Sequence, residues 1–189
     1  FASTIYDEAM SLGRLVTNLL HMTRLETAGV ELRREWVSLE DPLGAALTRL
    51  ERALAGRPVH VTIPPDLPPV RIDEVLVEHL LINLLENAAK YTPTGGPIDI
   101  TARAEDPWIV LEIADRGPGI PAGQEDRIFE KFVRGEGRRD GGFGLGLAIC
   151  RAIAEAHGGT ITAAARPGGG ASFRLALPLE REPAQDPVA

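Results

Sequence analysis

The run LINLLENAAKYTP carries Asn83, Asn87 and Lys90 at spacings of four and three. At about 100° per residue these three share one helical face. Val77, Leu81, Leu84, Leu85 and Ala88 take the other. Two carboxamide oxygens beside an ammonium suit a hard divalent cation that keeps part of its water and is shared with phosphate groups. A second stretch, Asp115-Arg116-Gly117-Pro118-Gly119, sets a carboxylate ahead of two glycines. A carboxylate accepts a hydrogen bond from an exocyclic amine such as adenine's, and glycine lets the backbone approach a ligand closely. In isolation such a pentapeptide is most often a plain turn.

A third stretch, Gly141-Gly142-Phe143-Gly144-Leu145-Gly146-Leu147, alternates glycines at the entry to a helix. Free N–H groups at a helix start bind phosphate oxygens. No Lys-Ser/Thr follows, so this is not a Walker loop, and no βαβ unit surrounds it. The Arg134 guanidinium stands where it could reach a terminal phosphate, whereas Arg138 and Arg139 read as solvated. Phe129 and Phe132, three apart, read as core.

The elements that must position these groups follow from periodicity and breakers. Residues 1–27 read as one helix with a narrow apolar seam (Ile5, Leu12, Leu15, Val16, Leu19, Met22, Leu25), as in a coiled coil or bundle. A short strand at 35–37 precedes a helix at 39–56, capped by Ser38 or Asp41 with Pro42 in its first turn. Strand 59–63, a proline-marked connection, and helix 73–91 follow. Strands at 98–104 and 108–114, a short helix at 124–133, a helix at 145–157, and strands at 160–165 and 171–178 complete the pattern. The tail after 180 reads as frayed. Mostly hairpin-linked strands without βαβ alternation predict an α+β fold, a two-layer sandwich with helices on one face of a mixed, mostly antiparallel sheet.

Composition narrows the function classes. The 189 residues carry a net charge of −7 and no basic patch, which argues against a nucleic-acid partner. The single cysteine, Cys150, has no internal partner and points to a reducing compartment. No apolar run approaches the roughly 20 residues of a membrane span. Phe1 falls inside the first helix, so the chain reads as a piece of a longer one. The expected domains are 1–28, the second helix of a truncated dimerisation and phosphotransfer hairpin, then 29–180, then the tail 181–189.

The order LLxNLLENAxKYT, DxGxGI, FxxF, GxGLGL and HGGTI resembles the ATP-binding catalytic domain of bacterial sensor histidine kinases. This is the GHKL (Bergerat) group, which also holds gyrase B, Hsp90-type chaperones and MutL. The likeness covers about 36–178. It implies that Asn83 and Asn87 form the asparagine box, with Asn87 the leading Mg²⁺ ligand, Asn83 a second, and Lys90 a phosphate contact. It further implies that Tyr91, Ile120 and Phe132 lie near the nucleotide and that Asp115, shaped by Gly117 and Gly119, reads adenine. Arg134 would touch phosphate, and Gly142, Gly144, Leu145, Gly146 and Leu147 would form the second glycine box beside a lid at about 133–143. The implied ligands are ATP and Mg²⁺.

Hydrolysing relatives resemble one another in having a Glu four residues before the Mg²⁺ asparagine. Asn83 stands there, and a carboxamide is no general base. Glu86 lies about 60° around the helix from Asn83. The resemblance therefore implies phosphoryl transfer to a protein histidine. His21, His60, His79 and His157 all lack the His-Glu/Asp-Leu-Arg-x-Pro setting, which places the acceptor upstream of Phe1. The similarity of GLGLAICRAIAEAHGGTITA and ARPGGGASFRLALP is strongest to potassium-responsive sensor kinases of the Kdp type. It implies a response-regulator partner, a homodimer in the full-length protein, and a cytoplasmic domain of a membrane sensor whose membrane parts lie elsewhere. The alternatives are an ATP-gated interaction module and an ATP-hydrolysing relative.

Overall fold

The computed structural model describes residues 13, 16–18, 20, 23, 32–133 and 144–180. The six described positions before residue 32 are helical; the rest of the expected 1–27 helix and the tail 181–189 lie outside the described residues. From there the elements run β1 (Glu35–Val37), α1 (Glu40–Arg49), α2 (Glu51–Leu54), β2 (Val59–Thr62), β3 (Val70–Ile72), α3 (Glu74–Tyr91), β4 (Ile98–Glu105), β5 (Trp108–Ala114), α4 (Gly146–Ala156), β6 (Thr160–Ala165) and β7 (Ala171–Pro178).

Five strands form the main sheet in the order β2-β4-β5-β7-β6. Only β2 and β4 pair in parallel; the other neighbours are antiparallel. One face packs and the other meets water, as the alternation in β4 shows. Ile98, Ile100 and Ala102 are buried, while Asp99, Thr101 and Arg103 between them are partly exposed. Helices α3 and α4 cover the inner face and pack on each other, with α1 against α3. This is the two-layer α+β arrangement expected from the pattern.

Helix α3 begins where Asp73 caps it, its Oδ1 accepting from Leu76 N at 3.2 Å. Leu80, Leu81, Leu84 and Leu85 are fully buried along it, each contributing roughly 1.5–3 kcal/mol of burial. The helix ends at Thr92, ahead of Pro93.

Four expectations are corrected. The helix expected at 39–56 breaks at Leu50 (φ −100°, ψ 9°) into α1 and α2, which lets both Leu50 and Leu54 enter the core. Its N-cap is Leu39, with no side-chain cap; Ser38 Oγ instead accepts from Glu40 N at 3.3 Å. The connection before α3 holds a strand, β3, because Val70 and Ile72 are buried on either side of exposed Arg71 and pair antiparallel with β1. The helix expected at 124–133 is a single 3-10 turn, Arg127–Phe129, which lodges Phe129 edge-on against Phe173 with ring centroids 6.4 Å apart. Cys150 is fully buried, and burial pushes its thiol well above the ordinary range, which makes it inert packing.

His157 ends α4, as its place before Gly158-Gly159 predicts, and ties that end to the start of α3. Its Nε2 accepts from Asp73 N at 2.9 Å and its Nδ1 donates to Ile153 O at 2.7 Å. A backbone N–H only donates and a carbonyl only accepts, so the ring is neutral with its proton on Nδ1. Burial lowers its pKa below 6.5, opposed by the Ile153 carbonyl and the Asp73 charge and assisted by Arg34. The favoured native form is the neutral one. Its contribution is therefore complete above the unfolded value of 6.5 and is lost as pH falls below it toward the lower folded value. Urea unfolding at pH 7.5 and pH 5 should show a stability loss in the wild type that shrinks in His157→Gln.

Thr92 is 1% exposed and its Oγ1 has no hydrogen-bond partner. A buried orphan hydroxyl costs about 1–3 kcal/mol, and the extended backbone of Thr92 (φ −74°, ψ 126°) accepts a β-branched apolar residue. Thr92→Val should raise the unfolding free energy by ~1 kcal/mol, measured by chemical denaturation; a loss of stability would refute this.

Candidate functional site

The chain leaves central strand β5 at Asp115, whose N–H still bonds Ala171 O on β7 at 2.8 Å. The Asp115 side chain is 4% exposed. Its Oδ1 accepts from Gly117 N at 2.7 Å and from Ala171 N at 3.2 Å. Both backbone donors meet the same oxygen, which leaves Oδ2 as the face for a ligand donor. A buried carboxylate is thus held by peptide dipoles rather than by a cation directly on its oxygens.

Three backbones converge here, and glycine permits each approach. A Cβ on Gly117 would lie 2.9 Å from Tyr91 O at the end of α3. Gly119 (φ 83°) faces Gly170 O, where a Cβ would stand at 3.0 Å. A Cβ on Gly170 (φ 103°) would overlap the Asp115 carbonyl oxygen. The end of α3, the end of β5 and the β6–β7 turn therefore form one junction. The contribution of Gly170 was not anticipated from the sequence, although the run Pro167-Gly168-Gly169-Gly170 was visible as a turn.

Across α3, Asn83 is 8% exposed. It is not an open surface residue, because α4 begins directly over it: a Cβ on Gly146 would be 3.0 Å from Asn83 Oδ1. The Asn83 amide nitrogen donates back to His79 O at 3.0 Å, so its oxygen is the free end, turned toward the start of α4. Asn87 follows one turn on, half-buried. Lys90 is exposed, with Nζ 5.5 Å from the Tyr91 ring centroid. Leu145, at the N-cap of α4, is 3% exposed and supplies no side-chain cap, so among the described residues nothing caps the first-turn N–H groups, the kind of helix start that accepts an anion. Gly144 (φ 67°) accepts from Phe132 N at 2.9 Å, and a Cβ there would come within 2.7 Å of Val133 O.

Ile120 and Leu147 are partly buried against the core, and Tyr91 is 38% exposed. Phe132 departs from the core role expected of it: it is 69% exposed, with φ 65°. The tight Phe132–Gly144 pairing forces that backbone and turns the ring outward, while Phe129 fills the core alone. Arg134 and Gly142 lie outside the described residues, as does nearly all of the expected lid.

The donor set decides which metal would fit. Among the described residues no group of three or more His, Cys, Asp or Glu could hold one. The oxygens of Asn83 and Asn87 remain, a sparse set that fits Mg²⁺ completed by water and phosphate.

Comparison with known proteins shows the family. Residues 72–181 match the family described as histidine kinase-, DNA gyrase B- and HSP90-like ATPase. The sensor protein KdpD of Escherichia coli (strain K12) is 47% identical over 183 residues, 96% of this chain and 20% of that protein. The chain thus spans about a fifth of the length of this curated relative. Full-length ShkA in complex with AMPPNP superposes with a TM-score of 0.77 at 32% identity, covering 88% of this chain and 35% of that one. The mycobacterial sensor histidine kinase MprB superposes with a TM-score of 0.69 at 31% identity, covering 77% and 97%.

The junction predicts a specific sensitivity. Gly170→Ala must displace the Asp115 carbonyl and adopt a strained φ, and should cost about 1–3 kcal/mol of stability. Gly169→Ala also carries a positive φ, but nothing lies within 4 Å of its added methyl; it should cost less. Paired denaturation curves compare the two.

Proposed function

Because the chain belongs to the histidine kinase-, DNA gyrase B- and HSP90-like ATPase family, we propose that it is the catalytic ATP-binding core of a two-component sensor histidine kinase. The observation that carries this reading is a buried Asp115, held on one oxygen beside the C-terminal end of α3, the helix whose Asn83 lies under the start of α4. That arrangement offers an acceptor for an exocyclic amine at one end and donors for phosphates at the other.

In this mechanism Asp115 Oδ2 accepts from the adenine amine, and the N–H groups at the start of α4 orient the phosphate chain. Lys90 and Arg134 add positive charge to it. Asn83 and Asn87 would hold Mg²⁺, which supplies charge neutralisation between phosphate oxygens. The γ-phosphorus bond to the bridging oxygen breaks as a bond to an acceptor imidazole nitrogen forms, driven mainly by positioning and charge stabilisation. With Asn83 in place of a carboxylate, no side chain at that position activates water. The phosphoryl group would then pass to a response-regulator receiver domain, and the resemblance of GLGLAICRAIAEAHGGTITA and ARPGGGASFRLALP to Kdp-type sensor kinases favours one that governs a potassium response.

Residues 1–28 are assigned to the second helix of a dimerisation hairpin. Val16 and Leu20, more than half exposed, suit a seam covered by other helices. No described helix is long and apolar enough to cross a membrane, which suits a cytoplasmic domain of a sensor anchored through other parts.

Transfer of γ-labelled phosphate from ATP tests the reading with two polypeptides: this chain, and a longer one in which a histidine-bearing acceptor helix precedes residue 1. Label should appear on the longer polypeptide alone and fall at least ~100-fold with Asn87→Ala. Tight ATP binding by both with label on neither would replace the kinase with an ATP-gated interaction module. Rapid phosphate release abolished by Asn83→Ala would mark an ATP-hydrolysing enzyme instead.

A further inference from the structure

On the open face of the sheet, behind the Asp115 junction, a second charged cluster takes no part in the chemistry above. Arg166 is the first residue after β6. Its Nη1 donates to Asp115 O at 3.0 Å and its Nη2 to Asp99 Oδ2 at 3.2 Å. Its side chain is only 19% exposed. Asp99 lies on β4, where it faces Ala114, the residue before Asp115, across the strand pair. The other oxygen of Asp99 pairs with His60 Nδ1 on β2 at 3.1 Å. The His60 hydrogen bond, joined by Arg166, holds the Asp99 carboxyl below its usual range. Asp99 is therefore a fixed anion at neutral pH, and it anchors the guanidinium.

We propose that Arg166, anchored by Asp99, is a positioning residue that aims the Asp115 carboxylate at the amino group of the nucleotide's base. The inference rests on the nucleotide reading of the site given above. Each backbone group of Asp115 is accounted for. Its N–H is taken by Ala171 O, and its carbonyl is packed by Gly170 and bonded by Arg166. That carbonyl belongs to the Asp115–Arg116 peptide, the link that leads into the turn whose next N–H, that of Gly117, holds Oδ1. Oδ2 is then left with one direction. Without the guanidinium, the peptide after Asp115 can rotate and the carboxylate loses its aim. If Arg166 acts by position, the effect of removing it falls on recognition of the base rather than on binding of the phosphates.

The test compares two triphosphates by titration calorimetry: ATP, and purine riboside triphosphate, which lacks the exocyclic amine. A site built to hydrogen-bond a donor rejects an analogue without it, so the wild type should prefer ATP strongly, and Asp115→Asn should erase the preference. Arg166→Met should weaken ATP binding ~10-fold, the scale of one lost hydrogen bond, and leave the analogue within about 2-fold. Arg166→Lys should recover part of the preference. Asp99→Asn, which keeps the shape of the side chain, should shift the preference in the same direction by less and serves if Arg166→Met fails to fold. A merely structural Arg166 would lower both affinities together, or neither, and that result overturns the proposal. A wild type with equal affinity for the two triphosphates would overturn the base-reading role of Asp115 itself, and this inference with it.

Discussion

The burial of α3 against the sheet and alongside α4 is the constraint on which the rest of the molecule depends. Its leucines form the centre of the core, and the same helix supplies Asn83, Asn87 and Lys90. A helix locked on one side by packing can hold side chains on its other side to within a fraction of an ångström, because rotation about its axis would expose several fully buried leucines at once. Its two ends are secured independently. Asp73 and His157 fix the first turn, and the Tyr91 carbonyl abuts Gly117 at the last. The asparagines are thereby placed by the core rather than by loops.

Much of this was legible in the sequence. The period of α3, the alternation of β4 and β5, and the glycine-marked turns located the main elements within a few residues. Asp115, Gly117 and Gly119 read as a plain turn in isolation, and stood out only in company with the asparagine face and the glycine-rich helix entry. What escaped was non-local. Strand β3 spans three residues and exists only because β1 lies beside it, a pairing that no local pattern encodes. The burial of Asn83 depends on where α4 begins, some sixty positions later. Phe129 and Phe132 look equivalent three residues apart, yet the backbone turn at Phe132 separates them. Arg166 reads as an ordinary turn residue until the fold brings it behind Asp115.

Glycine contributes to this site by leaving room. At Gly117, Gly146 and Gly170 a methyl group would collide with a carbonyl or carboxamide oxygen that belongs to the site. At Gly117 and Gly170 main chain approaches main chain with no side chain between. That approach also keeps the polar groups few and each of them committed, which limits the desolvation cost of a buried carboxylate.

Strand β5 sits at the middle of the main sheet, bonded along its length to β4 on one side and β7 on the other. Amides in such a strand exchange with solvent only through openings close to global unfolding. The carboxylate at its end is therefore anchored to one of the most fully bonded strands among the described residues. A signal that reaches this domain has no inexpensive way to loosen that end of the site. A change that loosens the site therefore costs least at its other side, around the start of α4, which is not tied into the centre of the sheet.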